Sequence, residues 1–204
     1  MSTIIDVPRD INARIAERVR DLRTGHGLSL DALAAKSRVS RSMISLIERG
    51  ESSPTATVLE KLAGALDVTM ASLFDGSESR PAADGPLSRR ADQVEWKDPE
   101  SGFMRRNLTP PAAKQPFHLV EIHFPSSRRV VIDAQDAQVF RQVWMLEGTM
   151  DITTGTERYR LHEGDCLAVR SDKPLIFHNP GRRVARYVAG VASGGSLTAR
   201  ARRR

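Results

Sequence analysis

Residues 27–50 read GLSLDALAAKSRVSRSMISLIERG, and the fold turns on how this stretch is understood. Leu30, Leu33 and Ala34 recur at helical spacing behind Ser29, whose hydroxyl is suited to cap a helix N-terminus. Ser37, Arg38 and Val39 interrupt that helix, and Ser40 offers a second capping hydroxyl. A second run follows, with Met43, Ile44 and Ile47 on one side and Arg41, Ser42, Ser45 and Arg49 on the others. The spacing predicts two short helices joined by a tight turn. Val39, Ile44 and Ile47 face inward, and Ala34 is small where the helices must cross closely.

A helix that reads the DNA major groove presents side chains from its first turns while its other face packs on the preceding helix. The second run has this character. Arg41 has the reach and the forked donors to bond guanine O6 and N7, whereas Ser42 and Ser45 can bond several base edges or a phosphate. Arg38 in the turn and Arg49 past the first turns are placed for phosphates, and Glu48 is expected to turn toward the helix end. With the two cap residues, the expected DNA-contacting set is Ser29, Arg38, Ser40, Arg41, Ser42, Ser45 and Arg49. An ordinary helical hairpin with a solvated polar face would share the pattern, so the flanking chain has to decide.

Upstream, Ile11, Ile15, Val19 and Leu22 form an apolar stripe that ends at Thr24-Gly25-His26-Gly27. Downstream, Pro54 breaks the chain and Thr55 can cap a helix carrying Val58, Leu59, Leu62, Ala63 and Leu66. The run LSLDALAAKSRVSRSMISLIERGESSPT, followed by LEKLAGALDV and a later LF, resembles the lambda-repressor type of helix-turn-helix, the Xre or Cro/C1 family, over about a third of the chain. The resemblance implies an all-α DNA-binding domain over residues 8–75 and the work of a transcriptional regulator. One position departs from it: the family's turn usually has Gly where Arg38 stands, and a left-handed backbone there costs an arginine about 1 kcal/mol.

The 204 residues suffice for two small domains and exceed one helical domain of this type. No apolar run reaches membrane-span length, and MSTIIDVPRD lacks the apolar core of a signal peptide. The single cysteine, Cys166, excludes an intrachain disulfide framework and a cysteine-based zinc cluster. A cytoplasmic protein without a membrane partner is expected. Residues 1–75 hold ten basic and ten acidic side chains, so the formal +6 lies entirely in residues 76–204. DNA affinity must therefore come from local placement rather than net charge. DGSESRPAADGPLSRRAD at 75–92 carries no apolar periodicity, and residues 76–92 are read as a linker. Residues 192–204, ending in Arg200, Arg202, Arg203 and Arg204, read as a disordered basic tail.

Beyond the linker the period becomes strand-like. Candidate strands are 94–97, 103–108, 117–124, 129–132, 139–146, 149–153, 158–161, 166–169, 175–178 and 184–191, separated by turn residues. Many short strands at such spacing indicate a β-sandwich or small barrel. VWMLEGTMDITTGTERYRLHEGDCLAV and the later DKPLIFHNPG resemble the cupin family, a double-sheet jelly roll, over residues 93–191. The resemblance rests on LEG, HEGD and HNPG, whose glycines mark corners needing an unusual backbone angle or a close approach.

Cupins commonly hold a metal through two His and a Glu in one motif and a His in the next. Carried onto this chain, the Glu position falls on Arg141, the His pair among Ala134, Gln135, Asp136 and Ala137, and the late His on Leu175. An arginine and a leucine cannot coordinate a divalent ion, so no metal, no cofactor and no catalytic residue is expected. His118, Glu121 and His123 share one strand, but alternation puts only Glu121 and His123 on a common face, a hydrogen-bonded pair rather than a site. His178 is assigned to the HNPG corner, and Cys166 to packing on a buried strand.

The expected architecture is an all-α helix-turn-helix domain followed by an all-β cupin jelly roll. The expected function is a dimeric regulator reading a palindromic double-stranded operator, with a metal-free barrel as sensor or dimerisation module. A cupin enzyme fused to a DNA-binding domain and a barrel serving purely as a dimerisation scaffold are the alternatives. Arg141, with Val143 and Met145 on its strand face and Leu175 and Phe177 opposite, would form an effector pocket for a small carboxylate. A permanent ion pair of Arg141 with Asp136 or Glu121 is the competing reading.

Overall fold

The computed structural model describes residues 11–74, 85–110, 117–134 and 139–193. Most of the expected linker, Asp136 and the expected tail from residue 194 onward lie outside these described residues, while residues 192 and 193, expected to begin the tail, end the last strand instead. Four helices come first: α1 (Ile11–Gly25), α2 (Leu30–Ser37), α3 (Arg41–Glu48) and α4 (Ala56–Ala65), then a 3-10 turn at Met70–Phe74. Each expected cap forms. Ser29 Oγ accepts from Ala32 N at 3.0 Å, Ser40 Oγ from Met43 N at 3.2 Å, and Thr55 Oγ1 from Val58 N at 3.4 Å. Arg38 closes α2 in the left-handed region at φ 56°, its N–H donating to Ala34 O at 2.9 Å. The interior is built by Ile15, Val19, Leu33, Ile44, Ile47, Leu59, Leu62 and Leu66, all at most 1% exposed.

Ten strands follow: β1 (Glu95–Lys97), β2 (Met104–Asn107), β3 (Phe117–Phe124), β4 (Arg129–Ile132), β5 (Val139–Glu147), β6 (Met150–Thr154), β7 (Glu157–Leu161), β8 (Cys166–Arg170), β9 (Leu175–His178) and β10 (Ala185–Ser193). They coincide with the expected strands to within a residue or two. All pairings are antiparallel, in a six-stranded sheet of order β1-β2-β3-β10-β5-β8 and a four-stranded sheet of order β4-β9-β6-β7. The two inner faces enclose Val120, Ile122, Phe124, Val143, Met145, Ile152, Leu175, Phe177 and Tyr187. The result is the expected double-sheet jelly roll. Asn179 of HNPG is its buried corner pin: Nδ2 donates to Phe124 O at 2.9 Å and Arg183 O at 2.8 Å, while Oδ1 accepts from Gly181 N at 2.8 Å.

The helical part and the barrel share one apolar core, a continuity the sequence did not announce. Phe74, Trp96, Phe103 and Phe124 pack in a chain with ring centroids 5.6, 5.8 and 5.6 Å apart, tilted, edge-on and stacked in turn, running from the 3-10 turn into the barrel. Asp98, buried in the β1–β2 turn, accepts from Ala56 N at 2.8 Å and so caps α4 from the other domain. Within the span expected to be pure linker, Arg90–Asp92 forms a 3-10 turn.

Two corner glycines differ in what surrounds them. Gly148 sits at φ +83°, and a Cβ there would meet Ala185 Cα at 3.1 Å, whereas at Gly164, φ +87°, nothing lies within 4 Å. Gly164→Ala should cost about 1 kcal/mol from the backbone angle alone, and Gly148→Ala about 2–3 kcal/mol once the backbone contact is added. Urea unfolding of both variants measures the difference; equal costs would mean that the close approach does not matter.

Candidate functional site: the recognition helix and the barrel cavity

Helix α3 divides cleanly. Ile44 and Ile47 are buried and Met43 packs partly against the core, while Arg41 and Ser42 are exposed and Ser45 is half-buried. Arg41, 63% exposed, meets Asp31 of α2 at 3.2 Å, a surface pair worth at most about 1 kcal/mol. Arg49 holds Glu51 in a bidentate pair at 2.9 Å and donates to Ser45 Oγ at 2.5 Å. This pairing raises the Arg49 pKa and holds Glu51 below the usual carboxylate range. Ser29, Arg38 and Ser40 are exposed; the two serines spend an oxygen lone pair on caps and keep an O–H to donate. The seven expected positions therefore run along the α2–α3 surface.

Glu48 is the last residue of α3, at the helix end as expected, but its side chain turns inward. It is buried and accepts from Arg23 Nε at 2.6 Å and Nη2 at 2.8 Å, clamping α3 to α1. It orients α3 from behind. Sequence periodicity missed this because the partner lies on a helix 25 residues away.

In the barrel, Arg141 points inward from β5 and is 5% exposed. Its Nη2 donates to both oxygens of Glu60 at 2.8 and 2.9 Å, and its Nη1 donates to the Ser171 hydroxyl. Glu60 belongs to α4, so the partner of the barrel arginine comes from the helical domain. Beside this pair lies a cavity of about 60 Å³, walled by Val130, Ile132, Val143, Phe177 and Tyr187 of the barrel and closed by Ala56, Glu60 and Met70 of the helical part. Burial pushes the Tyr187 phenol well above its ordinary pKa, so it stays protonated.

Residues 19–73 match the helix-turn-helix family HTH_3. Over 95 residues the chain is 32% identical to the HTH-type transcriptional regulator SinR of Bacillus subtilis, covering 46% of this chain and 85% of that protein. The chain belongs to the helix-turn-helix family of transcriptional regulators. It is also 24% identical over 173 residues to the HTH-type transcriptional regulator SutR of Escherichia coli K12, 85% of this chain and 91% of that protein. The crystal structure of an HTH_3 family transcriptional regulator from Vibrio cholerae superposes with a TM-score of 0.72 at 26% identity, covering 89% of this chain and 96% of that one. The likeness thus extends through the barrel.

For this DNA-binding regulator, several expectations about the barrel need correction. Met145 and Leu175 are buried but do not line the cavity: Met145 sits one pleat beyond Val143, and Leu175 packs between its strand partners Ile132 and Thr154. Glu121 cannot partner Arg141, because alternation sends it to the outer face of the sheet, where it pairs with Arg106 and lies 3.3 Å from His123. Cys166 is exposed rather than packed, since it stands opposite the outward Trp144 on the edge strand β8. His178 faces Asp151 at 3.6 Å. Among the described residues no cluster of three His, Cys, Asp or Glu could hold a metal ion, and no helix is long and apolar enough to cross a membrane.

The histidines give the barrel a pH dependence. Desolvation and Arg105 depress the His118 pKa; desolvation, Arg106 and Arg186 depress that of His123. Below about pH 6.5 the unfolded chain takes up these protons more readily than the fold does, so stability falls with acidification through that window. Asp151, held below its ordinary 3.8 by Arg160 and Arg158, stays ionised there and contributes no slope. The melting temperature should be lower at pH 5.5 than at pH 7.5, and the double variant His118→Gln/His123→Gln should flatten the difference. An unchanged difference would assign the slope elsewhere.

Proposed function

We propose that this regulator acts as a homodimer on a palindromic operator and that its barrel, working without a metal, senses a small anionic effector at Arg141. The DNA reading is carried by one observation: α3 buries Ile44 and Ile47 in the core while Arg41 and Ser42 stand in solvent at its first turn. Arg41, Ser42 and Ser45 contact base edges, and Ser29, Arg38, Ser40 and Arg49 contact phosphates. Glu51 neutralises Arg49 in the free protein, so Arg49 joins the phosphate contacts by exchanging one anion for another.

Dimerisation is supported by the reach of the domain, since one such unit reads only a few base pairs and two set half-sites about 34 Å apart. It is also supported by the outer face of the six-stranded sheet, which carries exposed Met104, Phe117, Leu119 and Trp144 on one alternation. The sensor reading is supported by a guanidinium next to an apolar cavity, a pairing that suits a carboxylate with a hydrocarbon body. The completed Glu60–Arg141 pair favours a second reading, a barrel that is only a scaffold.

Footprinting of the operator with the parent and Arg41→Ala, with and without small carboxylates, tests the proposal. Arg41→Ala should lose about 1–3 kcal/mol of operator affinity and relax preference at one symmetric pair of positions. Protection spaced by one helical turn and weakened by a carboxylate is the expected pattern. Equal affinity and selectivity for Arg41→Ala would remove α3 from the base-reading role.

A further inference from the structure

The seat opposite Arg141 is already taken by a carboxylate, and that carboxylate belongs to the other domain. Glu60 meets the guanidinium through both oxygens, each accepting from Nη2, while Nη1 serves the Ser171 hydroxyl, so the charge that a free carboxylate would seek is already matched. The remaining cavity, about 60 Å³, is well under half the ~150 Å³ of an apolar cavity that holds a benzene ring. A carboxylate with an apolar body does not fit beside Glu60. Of the walls, the barrel strands are fixed by two hydrogen-bonded sheets, whereas Ala56, Glu60 and Met70 come from α4 and the 3-10 turn. The wall that can yield is the one carried by the DNA-binding domain.

The other polar ties of α4 to the barrel are few. Among the described residues they include Asp98 on Ala56 N, the Thr57 hydroxyl donating to Val131 O at 3.1 Å, and the surface pair Lys61–Asp133 at 3.0 Å. On its other side α4 packs against α2, the first helix of the DNA-reading pair. A change at Glu60 is therefore mechanically close to α2 and α3.

We propose that Glu60 is a tethered occupant of an anion seat, and that a small apolar carboxylate competes with it for Arg141, withdrawing α4 from the mouth of the barrel and freeing the helix-turn-helix domain. This rests on the sensor reading above and names its ligand class and its means of signalling. With the seat held by Glu60, the two domains move as one body and the half-site spacing of a dimer is fixed. With the seat held by a ligand, the reading heads lose that fixed spacing and operator affinity falls. Buried charge is conserved through the exchange, because one carboxylate replaces another on the same guanidinium.

Calorimetry with acetate, butyrate and benzoate on the full-length parent, Glu60→Gln and Arg141→Met tests this. Glu60→Gln keeps an oxygen against Arg141 but removes the competing charge. It should bind butyrate and benzoate at least tenfold more tightly than the parent, and Arg141→Met should bind neither. Equal affinity of the parent and Glu60→Gln, lost in Arg141→Met, overturns the competition and leaves the sensor reading standing. No binding to any of the three, or binding that survives Arg141→Met, overturns the sensor reading and the competition with it. Should Glu60→Gln fail to fold, Glu60→Met/Arg141→Met replaces the pair by apolar contact. It should bind operator as the parent does and ignore benzoate at concentrations that weaken the parent tenfold; a response equal to the parent's overturns the proposal.

Discussion

A guanidinium buried inside a jelly roll requires a counter-charge, and this chain supplies it from outside the barrel. Arg141 in isolation would cost several kcal/mol of lost hydration, enough to threaten a fold of ordinary stability. Glu60 and the Ser171 hydroxyl remove that penalty, and because Glu60 lies on α4 the compensation exists only while the helical domain sits on the barrel. The barrel's electrostatics and the placement of the DNA-reading head are thus one constraint. The aromatic chain from Phe74 to Phe124 and the Asp98 cap on α4 work in the same direction.

That constraint explains why a jelly roll without the metal-binding side chains of the cupin pattern retains a polar interior. Where that pattern puts a metal-binding glutamate, this chain has an arginine, and where it puts a histidine, Leu175 fills the core. An arginine there carries the charge that suits an anion, where a glutamate would carry the charge that suits a cation. The anion present is a side chain of the regulator's own DNA-binding domain.

Much of this was legible in the sequence because it is local. Ser29, Ser40 and Thr55 cap helices whose apolar stripes begin within four residues of them, and the ten strands alternate between turns that punctuate them. The inward direction of Arg141 followed from alternation along β5. Its partner did not, because Glu60 is 81 residues away and nothing in α4's periodicity separates a glutamate that faces water from one that faces a barrel. Glu48 and Asp98 were obscure for the same reason: each binds a group in a distant element, Arg23 of α1 and the Ala56 N–H of α4. Cys166 shows the converse, since an apolar neighbourhood along the chain does not reveal that β8 is an edge strand with that face open.

The central claim is that Glu60 and Arg141 form one energetic unit joining the two domains, and a double-mutant cycle on unfolding measures it directly. Glu60→Met, which leaves Arg141 buried and unpaired, should lose about 3–5 kcal/mol, while Glu60→Met/Arg141→Met should lose less than about 1 kcal/mol. Single substitutions that each cost under about 1 kcal/mol and simply add in the double variant would show that the pair does not hold the domains together.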